Sequence, residues 1–240
     1  MRKITGNNAA LNNRDFMPLI RAIVAGDFGS YQRLVTASPG LVCERAVVGA
    51  SRDAAHEYFF EQIRHYLYAG DTALHMAAAG FRWEIARHLL EMDADYSAKN
   101  RRGAEPLHYA SDSNAWNPTA QVATIEYLLR AGANPNAVDR NGVTPLQRAV
   151  RTRCAAAVEV LLAGGAEPRL KNKSGSTPLH LAVQNTGRGG SGTPHALEQQ
   201  RQIIRLLLQN GAAPKDRNGS GKTVQQVAGS GWIQELLKPA

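Results

Sequence analysis

Cysteine is nearly absent from this chain of 240 residues: Cys43 and Cys154 stand far apart, with no partner at metal-ligand spacing. That excludes a disulfide framework and a cysteine-based zinc site, and suits a reducing compartment. No segment reaches the roughly 18 consecutive apolar residues that a membrane-spanning helix needs. The start, Met1-Arg2-Lys3-Ile4-Thr5-Gly6-Asn7-Asn8, lacks the apolar run of a secretory signal. These absences point to a soluble, cytoplasmic protein with no membrane partner. Acid is also in short supply: 20 Asp and Glu against 28 Lys and Arg leave a formal charge of +8. Net charge alone does not choose between nucleic acid, membrane surface and acidic protein, so the position of the surplus decides.

What is present is a recurring glycine-and-leucine pattern. Gly70-Asp71-Thr72-Ala73-Leu74-His75 returns at Gly103, Gly142 and Gly175, with a worn copy at Gly221, at intervals of 33, 39, 33 and 46 residues. A period near 33 means stacked units that bury apolar surface only against their neighbours, so function belongs to an extended surface. Within each copy a Gly ends a turn, where positive φ is cheap. Thr-Pro then opens a short helix, Thr capping free amides and Pro losing no needed hydrogen bond. A second helix has apolar residues at helical spacing, as in Ile85, Ala86, Leu89 and Leu90. Gly132-Ala133, Gly165-Ala166 and Gly211-Ala212 close these second helices.

Thr177-Pro178-Leu179-His180-Leu181-Ala182 and the closing Leu-Leu-x-x-Gly-Ala segments resemble the ankyrin repeat. The resemblance implies an all-α solenoid of stacked helix-turn-helix units with hairpin-like finger loops. It divides a single domain, 1–240, into a degenerate first unit at 18–42 and an inserted finger segment at 43–69. Repeats follow at 70–102, 103–141, 142–174 and 175–220, and a capping unit at 221–240. It also implies a binding scaffold rather than an enzyme, with no cofactor or metal, acting as a monomer.

The family's contacts come from finger tips and the first helix of each pair. Those positions hold Lys99, Arg101, Arg102, Arg140, Arg151, Lys171, Lys173 and Arg217, against only Asp71 and Asp112. The reading that follows is a basic concave face binding an acidic protein or peptide. The alternative is a nucleic-acid or phosphorylated ligand on the same face. Nucleic-acid surfaces add stacking aromatics, and here those cluster in the insertion rather than in the basic fingers. Tyr66, Tyr68 and Trp116 are the candidate apolar contacts. The insertion, with Tyr58 and Phe59, reads either as an aromatic flap over the face or as packing onto the first two units.

Other candidates weigh less. His75, His108 and His180 share one repeat position, where the resemblance implies ties between neighbouring turns; Gln147 in the third unit speaks against a row of metal ligands. His56, Glu57 and His65 lack the spacing of a zinc motif. Gly187, Arg188, Gly189 and Gly190 form a secondary anion-site candidate in a glycine loop at 185–200. Arginines beside Cys154 would lower its pKa, but no histidine accompanies it. An enzyme assembled from the insertion and the helix-turn loops has no nucleophile–base pair to support it.

Overall fold

The computed structural model describes residues 7–112, 117–184 and 192–238, with side chains from Phe16 onward. Twelve α-helices among the described residues account for most of the ordered structure, with one short hairpin. The chain divides into two compact units. The first contains the residues up to Ala110 together with 117–133, and the second contains Ser111, Asp112 and the chain from Asn134 on.

In the first unit, α1 (Asn7–Ala25) pairs with α2 (Phe28–Ala37), and α3 (Ala73–Ala79) with α4 (Trp83–Glu91). Next come α5 (Pro106–Ser111) and α6 (Pro118–Arg130), with α1 beside α3 and α4 beside α6. One polar tertiary contact joins two of these pairs: the Tyr31 hydroxyl of α2 lies 2.8 Å from His88 Nδ1 of α4. In the second unit α7 (Pro145–Thr152) packs on α8 (Ala155–Ala163), and α9 (Pro178–Ala182) on α10 (Pro194–Gln209). The short α11 (Val224–Val227) and α12 (Gly231–Leu236) close it against α9 and α10.

The Thr-Pro signal does what its chemistry requires. Thr72, Thr144, Thr177 and Thr223 each accept a hydrogen bond from the amide three residues on, and the residue there returns one to the threonine amide. His75, Gln147, His180 and Gln226 fill that third position. His75 Nδ1 accepts from the Thr72 amide, which leaves Nε2–H to donate to Ala104 O at 3.1 Å. Gln147 reproduces the arrangement, donating to Leu170 O and Ser176 O at 3.0 Å each. His180 Nε2 likewise lies 3.3 Å from Lys222 O, so His75 and His180 tie successive turns, as the resemblance implied. Burial holds the His180 ring below its usual pKa, in keeping with a neutral imidazole.

Candidate functional site

Each finger is built on one side chain. Asn100, Asp139, Asn172 and Asn218 each stand three residues before a finger glycine and accept two backbone amides. Asn100 Oδ1 takes Arg102 N at 2.8 Å and Ala104 N at 3.1 Å, and Asn172 Oδ1 takes Ser174 N at 3.0 Å and Ser176 N at 3.1 Å. Asp139 and Asn218 repeat the pattern. These side chains substitute for a backbone turn and hold the tip rigid. The Asn/Asp-x-x-Gly spacing is the signal in the sequence that marks these residues.

Fingers are then linked to one another. Arg101 N donates to Ala69 O at 2.9 Å in the first unit; Lys173 N donates to Asn141 O and Gly219 N to Ser174 O, both at 3.0 Å, in the second. The glycines permit this approach. Gly175 has φ +72°, and a Cβ there would collide with the backbone of Gly219. The basic residues fall at equivalent places on this frame. Lys99, Lys171 and Arg217 precede the turn residue, and Arg101, Arg140 and Lys173 follow it. All six are exposed.

In the second unit the tips carrying Arg140, Lys171, Lys173 and Arg217 form one hydrogen-bonded series, with Arg151 exposed on the last turn of α7. No salt bridge among the described residues engages Arg140, Arg151, Lys171 or Lys173. Arg217 donates to Gly221 O of its own turn at 2.7 Å. Asp216 is held by Arg169 at 2.6 Å. The surplus charge follows the same division. The second unit has 14 Lys and Arg against 7 Asp and Glu, a net of +7, whereas the first has 14 against 13, a net of +1.

Two sequence-based expectations about the acids need correction. Asp71 is not on the recognition face: it is fully buried, accepting from Tyr68 N at 2.6 Å, Asn100 Nδ2 at 2.8 Å and Tyr109 Oη at 2.9 Å. Burial pushes its carboxyl up to about 6, against the pull of those donors and of His65. Asp112 is not a free counter-charge either. Arg148, which sequence reasoning missed, lies between Asp112 and Asp139, contacting Asp112 and reaching Asp139 at 3.0 Å. Two carboxylates on one largely buried guanidinium give this cluster a net −1, with Arg151 exposed on the same helix. The Cys154 thiol also departs from expectation, since burial raises its pKa and Arg153 instead donates to Gln184 O.

The insertion folds back onto the first unit. Strand β1 (Phe59–Phe60) pairs with β2 (His65–Tyr66), placing Phe59 opposite Tyr66. The His65 ring lies 4.5 Å from Tyr109 of α5, and Ile63 is buried so near the end of α3 that a Cβ on Gly80 would come within 2.8 Å of it. The residues four places after the helix caps show the result: Met76 and Tyr109 are buried, whereas Leu181 and Val227 in the second unit are half-exposed. The insertion thus both packs and covers. It also brings Tyr66 and Tyr68 to the basic finger at Arg101 and Arg102, while Lys99 turns to Glu105 at 3.6 Å. Trp116 and the loop at Gly187, Arg188, Gly189 and Gly190 lie outside the described residues. Among the described residues no group of three or more His, Cys, Asp or Glu is placed to hold a metal ion, and no helix is long and apolar enough to cross a membrane.

A family model for ankyrin repeats (3 copies) matches residues 48–137 and 115–218. The chain is 37% identical over 83 residues to the Neurogenic locus Notch protein of Drosophila melanogaster, covering 34% of this chain and 3% of that protein. It is equally identical over 83 residues to NF-kappa-B inhibitor delta of Mus musculus, covering 33% of this chain and 24% of the relative. Tyrosine-protein kinase Shark of Drosophila melanogaster is 36% identical over 84 residues, 34% of this chain and 8% of the kinase. The match therefore spans under a quarter of each of these relatives.

Proposed function

The chain belongs to the ankyrin-repeat family, and from that premise we propose that it is a non-enzymatic scaffold that binds an acidic protein or peptide along the fingers of its second unit. Ankyrin repeats indicate a protein–protein interaction domain, and one relative is by its printed name an inhibitor of NF-kappa-B. The observation that carries the finer reading is the rigid series of tips bearing Arg140, Lys171, Lys173 and Arg217, in a unit with net charge +7. Backbone-held tips spare the fingers any loop ordering on binding, and their cations steer the approach of an acidic segment. Protein is favoured over nucleic acid for this face because residues 134–240 contain one aromatic side chain, Trp232, so a strand of bases has almost nothing to stack on. Arg148 with its two carboxylates adds a selective feature. A partner fits best when its acidic residues avoid the Asp112–Arg148–Asp139 cluster and fall on the tips and on Arg151, since like charges oppose each other at that cluster.

The test is a charge reversal, Lys171→Glu with Lys173→Glu, in the full chain against an acidic peptide library. The expected result is an affinity loss of at least tenfold with the fold unchanged by circular dichroism. Peptides bound equally well by the reversed protein would remove the finger row as the site.

A further inference from the structure

The aromatic side chains missing from the second unit are concentrated in the first, and the fold brings a pair of them to the tip of one basic finger. Tyr66 and Tyr68 lie 6.1 Å apart between ring centres, with Phe59 backing Tyr66 at 4.7 Å. The Arg102 guanidinium sits 4.7 Å from the Tyr68 ring and that of Arg101 5.4 Å from it. Both tyrosines are half-buried and so keep part of their surface in solvent, Tyr68 beneath the two guanidiniums, and both arginines are exposed.

The platform is anchored from below. The Tyr68 amide is pinned by Asp71, and the Arg102 amide by Asn100. Arg101 donates to Ala50 O, which fixes its direction and leaves Arg102 as the less restrained cation. Within the insertion Glu44, Asp53, Glu57 and Glu61 outnumber Arg45, Arg52 and Arg64, so the local positive charge comes from the finger.

We propose that this strip, Tyr66–Tyr68–Arg102–Arg101, is a binding site for single-stranded nucleic acid, with bases stacked on the tyrosines and phosphates on the arginines. A run of carboxylates has no use for two presented rings, whereas every base offers a π-face beside a phosphate. A duplex keeps its bases stacked inside and cannot use the rings. The site is separate from the finger row of the second unit and stands or falls independently of the acidic-partner reading.

The experiment is fluorescence anisotropy of the full chain with a short labelled single strand, titrated with salt. Expected is binding at low salt with a shallow dependence, a log–log slope of about −1.4 for two phosphate contacts on a single strand. Tyr66→Leu or Tyr68→Leu should each bind the normal strand about tenfold more weakly, the scale of losing one stacked base, and an abasic strand of equal length about a hundredfold more weakly, having lost both. Arg102→Gln, at an exposed tip where folding is not at stake, should weaken binding and flatten the slope. Lys171→Glu with Lys173→Glu should leave the ratio of normal to abasic strand affinity unchanged. Equal affinity for the abasic strand, loss of the normal-over-abasic preference on the Lys171/Lys173 reversal, or no binding at low salt each overturns the proposal. So does preference for a phosphotyrosyl peptide over the strand at the same residues, which would reassign the platform to protein.

Discussion

Asp71 shows how a residue changes meaning once its neighbours are known. In sequence it is an acid beside a turn glycine, one of two that oppose the basic fingers. In the fold it joins the insertion at Tyr68, the finger at Asn100 and the helix α5 at Tyr109, with His75 Nε2 4.0 Å away. Its pKa, raised from 3.8 to about 6, gives a signed prediction. The folded state holds the proton more tightly than the unfolded chain, so this group's contribution is full below the unfolded pKa. It is lost as pH rises through about 6. The change is ~3 kcal/mol at 1.36 kcal/mol per unit. Urea midpoints of the wild type and Asp71→Asn, measured between pH 4 and 7, should converge in slope everywhere except this window, where the wild type alone falls. Parallel curves would mean that the buried carboxyl does not titrate with folding. Burial of the His180 ring acts in the opposite direction, favouring the native state as pH rises past its unfolded pKa. The two must therefore be separated by mutation.

At the scale of elements, the finger is the unit that matters, and its glycine is the part that tolerates least. Gly175 combines φ +72° with a backbone approach to Gly219 that leaves no space for a Cβ. Gly175→Ala should destabilise the second unit by more than ~1 kcal/mol, since both strain and collision oppose it. It should also raise hydrogen exchange at the Gly219 amide, which now donates to Ser174 O. Unchanged exchange there would show that the fingers are not held in register by this bond. The helices were legible because their signals are local: a cap, a proline, a 3.6-residue period, a closing glycine. The fingers were half legible, since Asn100, Asp139, Asn172 and Asn218 recur at one position before the glycine. The insertion was legible as an interruption and no more. A hairpin of two residues per strand has no period to read, and its resting place on Tyr109 depends on a residue about 40 positions further on.

For the molecule as a whole, composition states a charge of +8 and the fold states its address. Nearly all of it belongs to the second unit, and the first is close to neutral. Association with an acidic partner is therefore expected to be steered by the second unit's field. The Debye length falls from about 10 Å at 0.1 M salt to about 3 Å at 1 M. The association rate, followed by stopped flow, should drop by roughly tenfold or more across that range, with a much smaller change in dissociation. A rate indifferent to salt would leave the charge without a role in recognition.

The sequence by itself determined the repeats, the all-α class, the helix caps and the positions at which basic residues recur, because each depends on short-range spacing. Only the tertiary structure decided which charges are spent and which are available. It withdrew Asp71 into the interior, enclosed Arg148 between Asp112 and Asp139, and left Arg140, Lys171 and Lys173 at rigid tips. It also joined the aromatic insertion to the basic finger, which the sequence had kept 33 or more residues apart at Tyr68 and Arg101. The physical reason is that ionisation, pairing and stacking are governed by distance and burial, and neither follows from separation along the chain.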